Sequence, residues 1–293
     1  MNVGLVEAFG SSPARDVDFL QAYARQAEAL GFDSLWVPEH IVFFDDYQSR
    51  YPYNDSGELA MGADPGVFDP FLALTAAALA TTRLLLGTSI LLVGERNPMI
   101  TAREAATLDR FSGGRLQLGV GVGWAREEYE ALGVPWERRG ARCDEYLDVI
   151  RALWTTDRTS FEGEFCCFEN VAAFPKPVQA PHPPVFVGGN TAPALRRAAR
   201  RGDGWFEWQL SIEDVEQRLA SLDTELDAAG RTRDGFVLQV GVQSAEPAQD
   251  VAAYARRCAD LGVDRFVLAG GVSRRGFATR LEDYADAFGL SPS

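Results

Sequence analysis

Short apolar runs alternate with longer amphipathic stretches along nearly the whole chain. Residues 2–6 form an apolar run of strand length, and Val17, Leu20 and Ala24 then recur at helical spacing. The same alternation continues to the last residues. It predicts strands at residues 2–6, 34–37, 84–92, 116–120, 185–187, 204–207, 236–242 and 265–268, and helices at 15–30, 70–80, 98–111, 140–154, 192–201, 212–229, 248–261 and 276–288.

Eight successive strand–helix units predict an α/β fold, a closed (β/α)8 TIM barrel that occupies residues 1–293 as one domain. An open dinucleotide-binding sheet is the alternative, but such a sheet carries G-x-G-x-x-G after its first strand. This chain has EAFGSSP there. The longest connections are residues 38–68, after strand two, and 157–184, before strand five. We expect both insertions to wall the mouth of the barrel, and the second to contain a short hairpin and a proline-rich segment.

A glycine-rich turn follows the fourth predicted strand, in the sequence GVGVGW. Ligands of such barrels bind at the carboxyl ends of the strands, and glycine lets a ligand approach the backbone closely. Gly121, Val122 and Gly123 are therefore candidate cofactor-binding residues. Trp124 follows them directly.

A second such turn follows strand five, in the sequence VFVGGNTAP. Gly188, Gly189, Asn190 and Thr191 lead into a predicted helix, whose N-terminus offers a partial positive charge to a phosphate group. We therefore expect a cofactor phosphate here. The alternative is a helix that is simply well capped by Asn190 or Thr191.

His40 lies in SLWVPEHI, at the end of strand two, where an imidazole can move a proton at neutral pH. It is the candidate catalytic residue, although a single histidine can also serve packing alone. Glu39 could orient it or be solvated. Ser89 and Ile90 lie late in strand three and are further candidates. His182, between two prolines, is read as part of the loop structure.

Three tryptophans, Trp124, Trp205 and Trp208, fall just after or at the ends of predicted strands. They could line a pocket for an aromatic ligand, or pack in the core or at its rim. Arg274 and Arg275 follow the last strand, where many barrels bind phosphate. They could hold an anionic group or form a solvated pair.

The net charge of the chain bears on the classes of partner that it can bind. The chain has 28 basic and 42 acidic residues and a net charge of −14, which argues against binding to nucleic acid or to an anionic membrane. Its four cysteines lack a C-x-x-C pair, and with two histidines they make no metal-binding pattern. No apolar run reaches the length of a membrane span. We therefore expect a cytoplasmic protein without a metal.

Several motifs together resemble the luciferase-like monooxygenase superfamily, and within it the oxidoreductases that use the deazaflavin coenzyme F420. They span about residues 30–210. The matching segments are SLWVPEH (34–40), TRLLLGTSILL (82–92), RNP (96–98), ATLDRFSGGRLQLGVGVGW (106–124), LGVPWERRGARCDEYLDVIRALW (132–154), FPKPVQAPHPPVFVGGN (174–190) and ARRGDGWF (199–206).

The resemblance implies a barrel of the bacterial luciferase type that binds a flavin or deazaflavin ring at its mouth. It implies that His40 lies near the ring, that the bond between Ser89 and Ile90 is a non-proline cis peptide against the ring, and that the two glycine turns border the ring and bind the phosphate. Sugar-phosphate dehydrogenases of the superfamily carry a glutamate proton donor where this chain has Trp124. That activity is therefore disfavoured, and His40 is the acid or base that remains apparent.

Three functions stay open at this point. The leading hypothesis is hydride transfer between coenzyme F420 and a small organic substrate. The second is an FMN-dependent monooxygenase supplied with reduced flavin by a separate reductase. The third is a cofactor-binding or interaction protein without catalytic activity, against which the intact glycine turns and His40 argue. The resemblance also implies a homodimer.

Overall fold

The computed structural model describes residues 1–6, 16–59, 66–243, 246–269 and 276–291. Their strands, in chain order, are β1 (Asn2–Val6), β2 (Ser34–Val37), β3 (Leu85–Thr88), β4 (Leu91–Leu92), β5 (Leu116–Gly121), β6 (Thr159–Glu162), β7 (Cys167–Val171), β8 (Val185–Gly188), β9 (Gly204–Trp208), β10 (Val237–Gln243) and β11 (Arg265–Ala269). Their helices are α1 (Val17–Ala29), α2 (Pro70–Ala80), α3 (Pro98–Ser112), α4 (Arg126–Ala131), α5 (Arg139–Thr155), α6 (Ala192–Arg201), α7 (Ile212–Ala228), α8 (Ala248–Asp260) and α9 (Phe277–Phe288).

The sheet closes on itself. Strands β1, β2, β3, β5, β8, β9, β10 and β11 form a ring in which every neighbouring pair is parallel, with β3 paired to β5 and β11 paired to β1. Helices lie between successive strands of the ring. The predicted (β/α)8 barrel is confirmed, and strands β2 and β9 stand four positions apart, on opposite walls.

Two apolar layers hold the ring together. Inside it, a small cluster contains Trp36, Phe186 and Phe206, with the ring centroids of Trp36 and Phe186 5.7 Å apart in an edge-to-face arrangement. Outside it, the larger core packs the strands against the helices. Because both faces of each strand are covered, the strands are almost continuously apolar, which is the pattern of the sequence.

The structure corrects the predicted elements at one place. The single strand expected over 84–92 is divided into β3 and β4, because Ser89 and Ile90 leave the ladder between them. The glycine turn of β5 leads into the short helix α4, which is separate from the helix predicted at 140–154. The hairpin expected within 157–184 is present as the antiparallel pair β6 and β7.

The proline-rich connection before β8 is fastened to the barrel by one buried carboxylate. Asp109, on α3, accepts hydrogen bonds from the backbone N–H groups of Val178 (2.6 Å) and Gln179 (3.0 Å) and from the Gln179 side chain (2.7 Å). These three bonds satisfy a side chain that is fully buried. Within the described ranges, no helix is both long and apolar enough to cross a membrane.

Candidate functional site

A cavity of about 590 Å³ opens at the carboxyl ends of the barrel strands. Its volume falls in the range of sites that take a small molecule or cofactor. Its wall is mainly apolar and aromatic, with a few polar groups from several different strand ends. The residues around it include Pro38, Tyr51, Pro52, Tyr53, Leu92, Trp124, Trp136, Arg139, Gly140, Pro193, Ala194, Arg197, Phe206, Glu207, Trp208, Gln243 and Ala269.

Ten of the eleven predicted site residues also line this cavity. They are Glu39, His40, Ser89, Ile90, Val122, Gly123, Gly188, Gly189, Asn190 and Thr191. The bond between Ser89 and Ile90 is cis, as the resemblance implies. Gly121 does not line the cavity but lies behind Ile90. A Cβ on Gly121 would stand 1.9 Å from Ile90 Cδ1, so glycine is required for Ile90 to pack over β5.

His40 is held by a carboxylate that the sequence did not reveal. Its Nδ1 lies 2.9 Å from Oε2 of Glu128, which is 1% exposed. Glu128 Oε1 also accepts the backbone N–H groups of Ile41 (2.5 Å) and Val42 (3.3 Å). A carboxylate on Nδ1 fixes the ring orientation and favours a proton on that nitrogen, so proton exchange with a bound molecule falls to Nε2.

The predicted alternative for Glu39, that it orients His40, is not what the structure has. Glu39 is buried and pairs with Arg96, whose Nε donates to Oε1 over 2.7 Å, while Oε2 accepts the backbone N–H of Leu92 (2.6 Å). Burial raises the pKa of Glu39, and the charge and hydrogen bond of Arg96 oppose that rise. Glu39 therefore braces the chain after Ser89 and Ile90 rather than the imidazole.

Aromatic rings close the cavity above His40. Trp124 lies 5.9 Å from the ring of His40, 4.9 Å from Tyr47 and 5.3 Å from Tyr51, centroid to centroid. The loop that carries both tyrosines is tied to the first turn of α4, where Glu127 Oε1 accepts the N–H groups of residues 48 (2.6 Å) and 49 (2.9 Å). Neighbouring glutamates of α4 therefore hold two parts of this loop.

The remaining aromatic and basic candidates lie in different parts of the structure. Trp208 lines the cavity, whereas Trp205 is fully buried in the core and donates from Nε1 to the carbonyl oxygen of Gly189 (2.9 Å). His182 contacts the carbonyl oxygen of the next residue (2.9 Å) and stays in the loop, as predicted. Arg274 and Arg275 lie outside the described residues.

One end of the cavity is suited to an anion. Gly189 has φ +112°, a conformation that side chains rarely adopt, and a Cβ there would stand 2.9 Å from Ala194 Cβ. Helix α6 begins directly after Thr191, whose side chain makes no capping hydrogen bond to the described part of the chain. The start of α6 lines the cavity through Thr191, Pro193 and Ala194, and the N-terminus of a helix carries a partial positive charge. Arg139, at the start of α5, also lines the cavity and carries a positive charge.

Two buried carboxyls retain polar atoms without a hydrogen-bond partner among the described residues. Glu207 lines the cavity and its Oε2 has none, while neither oxygen of Glu95 has one. Burial raises the pKa of Glu207 to about 7. Burial, and then the charges of Glu128 and Glu39, raise the pKa of Glu95 to about 9. Glu95 is therefore protonated at neutral pH, and Glu207 is close to half-protonated.

We expect the raised pKa of Glu95 to appear as a pH dependence of stability. An unfolded glutamate has a pKa of about 4.3. The folded protein thus binds one more proton than the unfolded chain between about pH 5 and pH 9, and the free energy of unfolding falls as the pH rises. Replacing Glu95 with Gln should remove about 1 kcal/mol per pH unit of that decline, measured by urea unfolding from pH 5 to 8. A matched change at the exposed Glu137, Glu137→Gln, should leave the slope as it is, and an unchanged slope in Glu95→Gln would contradict the assignment.

Sequence reasoning missed Glu128, Arg139 and Glu207. Glu128 has the sequence signature of an ordinary acidic residue in a first helical turn, which the helix dipole favours anyway. Glu207 offers a signal, because a charged residue inside the apolar run GWFEW is unusual for a covered strand.

The cavity fits a phosphate-bearing planar cofactor. It combines a mainly apolar wall, a left-handed glycine beside the start of α6 and a Glu207 oxygen without a partner, which suit a ligand with an apolar ring, an anionic end and hydrogen-bond donors. In the part of the chain that the structure describes, no cluster of three His, Cys, Asp or Glu side chains is arranged to hold a metal ion.

Comparison with known proteins decides the family. Residues 4–287 match the luciferase-like monooxygenase family. The chain belongs to this family. A protein of Mycobacterium tuberculosis named only as uncharacterised is 38% identical over 243 residues, 83% of each chain. The FMNH2-dependent dimethylsulfone monooxygenase of Pseudomonas putida is 30% identical over 244 residues, covering 82% of this chain and 61% of that one.

Solved luciferase-like structures share the fold. The structure of an F420-dependent secondary alcohol dehydrogenase, in complex with an F420–acetone adduct, superposes with a TM-score of 0.80 over 98% of both chains at 17% identity. By their names, a protein that shares this fold depends on F420 and a sequence relative depends on FMNH2. Enzymes of the family to which this chain belongs are oxidoreductases and monooxygenases that act on small molecules.

Proposed function

We propose that the protein is a coenzyme F420-dependent oxidoreductase that catalyses hydride transfer to or from a small alcohol or carbonyl substrate. The observation that carries the proposal is the pairing of His40 with Glu128 at the wall of an apolar cavity. Moving a hydride onto a carbonyl carbon requires a proton at the oxygen, and removing one from an alcohol requires a base. When bound, the deazaflavin would supply the carbon centre that carries the hydride.

The protein's own part is binding, orientation and proton transfer. Glu128 holds the imidazole of His40 in one orientation, and Nε2 gives or takes the proton of the substrate oxygen. Trp124 and Tyr51 cover the site, which excludes water and strengthens the electrostatic interaction of the pair. Val122 and Gly123 border the space for the ring.

The anionic end of the cofactor is proposed to bind where α6 begins. The amides after Gly189 and the guanidinium of Arg139 would contact the phosphate, with Asn190 and Thr191 beside it. A glycine is needed at position 189 because its φ is in the left-handed half of the conformational map.

Equilibrium binding tests the proposal directly. Purified protein is titrated with F420 and, separately, with FMN, each in its oxidised and reduced form, with fluorescence as the signal. Micromolar or tighter binding of F420, with FMN at least about 100-fold weaker, is the expected result. The reverse order would reject F420 in favour of flavin, and no binding of either at millimolar concentration would favour a protein without catalytic activity.

A second candidate is an FMN-dependent monooxygenase that receives reduced flavin from a separate reductase. It is favoured by the 30% identity to the dimethylsulfone monooxygenase over 82% of this chain. The same cavity would shelter the reduced flavin from water while oxygen reacts. Oxygen consumption that depends on reduced FMN and an organic substrate would support it.

We further propose that the protein is a homodimer of the cytoplasm. Leu72 and Leu79, two turns apart on α2, are 73% and 74% exposed, and Ile100 on the neighbouring α3 is 49% exposed. An apolar face of this kind is typical of a protein interface. The four cysteines are free thiols, which suits a reducing compartment.

Light scattering during size-exclusion chromatography checks the oligomeric state. The wild-type protein should elute at twice the 32.0 kDa chain mass, and the double variant Leu72→Glu/Leu79→Glu should elute at the chain mass. Wild-type protein that elutes at 32.0 kDa at micromolar concentration would contradict the dimer.

A further inference from the structure

Glu207 is a carboxyl that the proposed hydride transfer does not use. It is 2% exposed, it lines the cavity, and it lies in β9, on the wall opposite β2 and His40. Its Oε1 accepts the backbone N–H of Trp208 over 2.9 Å. Its Oε2 has no hydrogen-bond partner among the described residues, although it is buried. A buried carboxylate oxygen without a partner is costly unless a bound molecule satisfies it.

Glu207 lies near the end of the cavity that is suited to an anion. β9 pairs with β8, so that Gly188 stands opposite Phe206, and Glu207 thus neighbours the Gly189 turn. The backbone N–H of Gly189 interacts with the carboxyl of Glu207 and lowers its pKa, and Oε2 still has no hydrogen-bond partner of good geometry among the described residues. Glu207 is therefore close to the proposed phosphate site and across the barrel from the proposed ring site beside His40.

We propose that Glu207 is a cofactor-binding residue whose Oε2 accepts a hydrogen bond from a hydroxyl of the polyol chain that joins the ring of a flavin or deazaflavin to its phosphate. The inference rests on the proposed function, because it requires a cofactor with a ring at one end and a phosphate at the other. It holds for either F420 or FMN, since both carry a ribityl chain.

The charged and titratable groups around Glu207 give this contact a pH dependence. Arg218, on α7, stabilises the carboxylate form, while burial keeps the pKa at about 7. Tyr53, from the loop after β2, faces it, and burial and then the charge of Glu207 raise the pKa of that phenol. A hydroxyl donates to a carboxylate more strongly than to a protonated carboxyl. The contact should therefore strengthen between pH 6 and pH 8.

Two pairs of probes isolate the polyol chain. Riboflavin has the ring and the ribityl chain without a phosphate, and lumiflavin has the ring alone. The riboflavin-like deazaflavin and its N-methyl analogue form the same pair for F420. We expect wild-type protein at pH 8 to bind the ribityl member of the preferred pair roughly tenfold more tightly than the ring alone. Neither member has a phosphate group, so the titration of a phosphate cannot affect the ratio of the two affinities.

Variants of Glu207 separate this role from a structural one. In Glu207→Leu, the ribityl member of the pair should bind at most about twofold more tightly than the ring alone. Glu207→Gln keeps an acceptor oxygen, so it should retain part of the preference for the ribityl member. That preference should no longer increase between pH 6 and pH 8. The control is Glu95→Gln, a buried carboxyl with partnerless oxygens that does not line the cavity, which should keep the full preference. Urea unfolding confirms that each variant is folded.

The outcomes of these measurements distinguish a failure of the Glu207 proposal from a failure of the proposed cofactor binding. If wild-type protein binds neither pair, both proposals are overturned. If wild-type protein binds one pair but Glu207→Leu and Glu207→Gln keep its preference and its pH dependence, the role of Glu207 is wrong while the cofactor assignment stands.

Discussion

His40→Ala is expected to reduce the rate of hydride transfer by roughly 100-fold to 10,000-fold, the usual contribution of a positioned acid or base. The affinity for the cofactor should change by no more than a few-fold, because the proposed contact of His40 is with the reacting oxygen. Single-turnover reduction of F420 by the first active alcohol measures the rate, and fluorescence titration measures the affinity. Turnover that survives in His40→Ala would remove the imidazole from the mechanism.

Glu128→Gln tests the orienting carboxylate. Glutamine keeps a similar shape but removes the negative charge beside Nδ1 of His40, so a rate loss of roughly 10-fold to 100-fold is expected. The change also touches the N–H groups of Ile41 and Val42, and a loosened loop could slow turnover by itself. Glu127→Gln is the matched control, because Glu127 holds the same loop by two N–H groups without contacting His40. Equal losses in the two variants would assign the effect to the loop.

Gly189→Leu is expected to weaken binding of FMN or F420, whichever the protein prefers, by at least about 100-fold. A leucine at φ +112° is strained, and its Cβ would stand 2.9 Å from Ala194 Cβ, so the turn must shift away from the start of α6. The amides that contact the phosphate would move with it. Riboflavin, which has no phosphate, should lose much less affinity than FMN.

A second glycine provides the control for backbone strain. Gly113 ends α3 with φ +70°, and a Cβ added there would have nothing within 4 Å, so Gly113→Leu introduces a left-handed leucine remote from the cavity. Its effect should be limited to a stability loss of roughly 1–2 kcal/mol in urea unfolding. If Gly189→Leu lowers riboflavin and FMN affinity equally, the phosphate is not bound at this turn.

Much of the barrel could be predicted because its rules are local. Apolar runs such as residues 116–120 indicate burial on both faces, and a left-handed glycine, Gly113, marks the end of α3. The division of the third strand into β3 and β4 was not predictable from this pattern, since Ser89 and Ile90 lie within an apolar run. At this interruption Ile90 packs over Gly121 of β5, a contact between segments remote in the sequence.

The residues of the candidate site also divide into those that the local sequence predicts and those that it does not. His40 and Gly189 could be proposed from sequence, because each follows a strand and the mouth of a barrel collects whatever follows its strands. Glu128 could not, because its partner is 88 residues away and its local setting is that of any acidic first turn. The partner that sequence reasoning offered to His40, Glu39, is adjacent in the chain but pairs with Arg96 in space.

The amino-acid sequence by itself determined the order of strands and helices, the closure of the ring and the places where glycine exposes the backbone, because these follow from periodicity and from the conformations that each residue allows. Only the tertiary structure decided which carboxylate holds His40, which oxygen of Glu207 is left without a partner and which protons are retained near neutral pH. Those properties depend on distance and burial among side chains that are remote in sequence, and solvent exclusion by the whole barrel sets their strength.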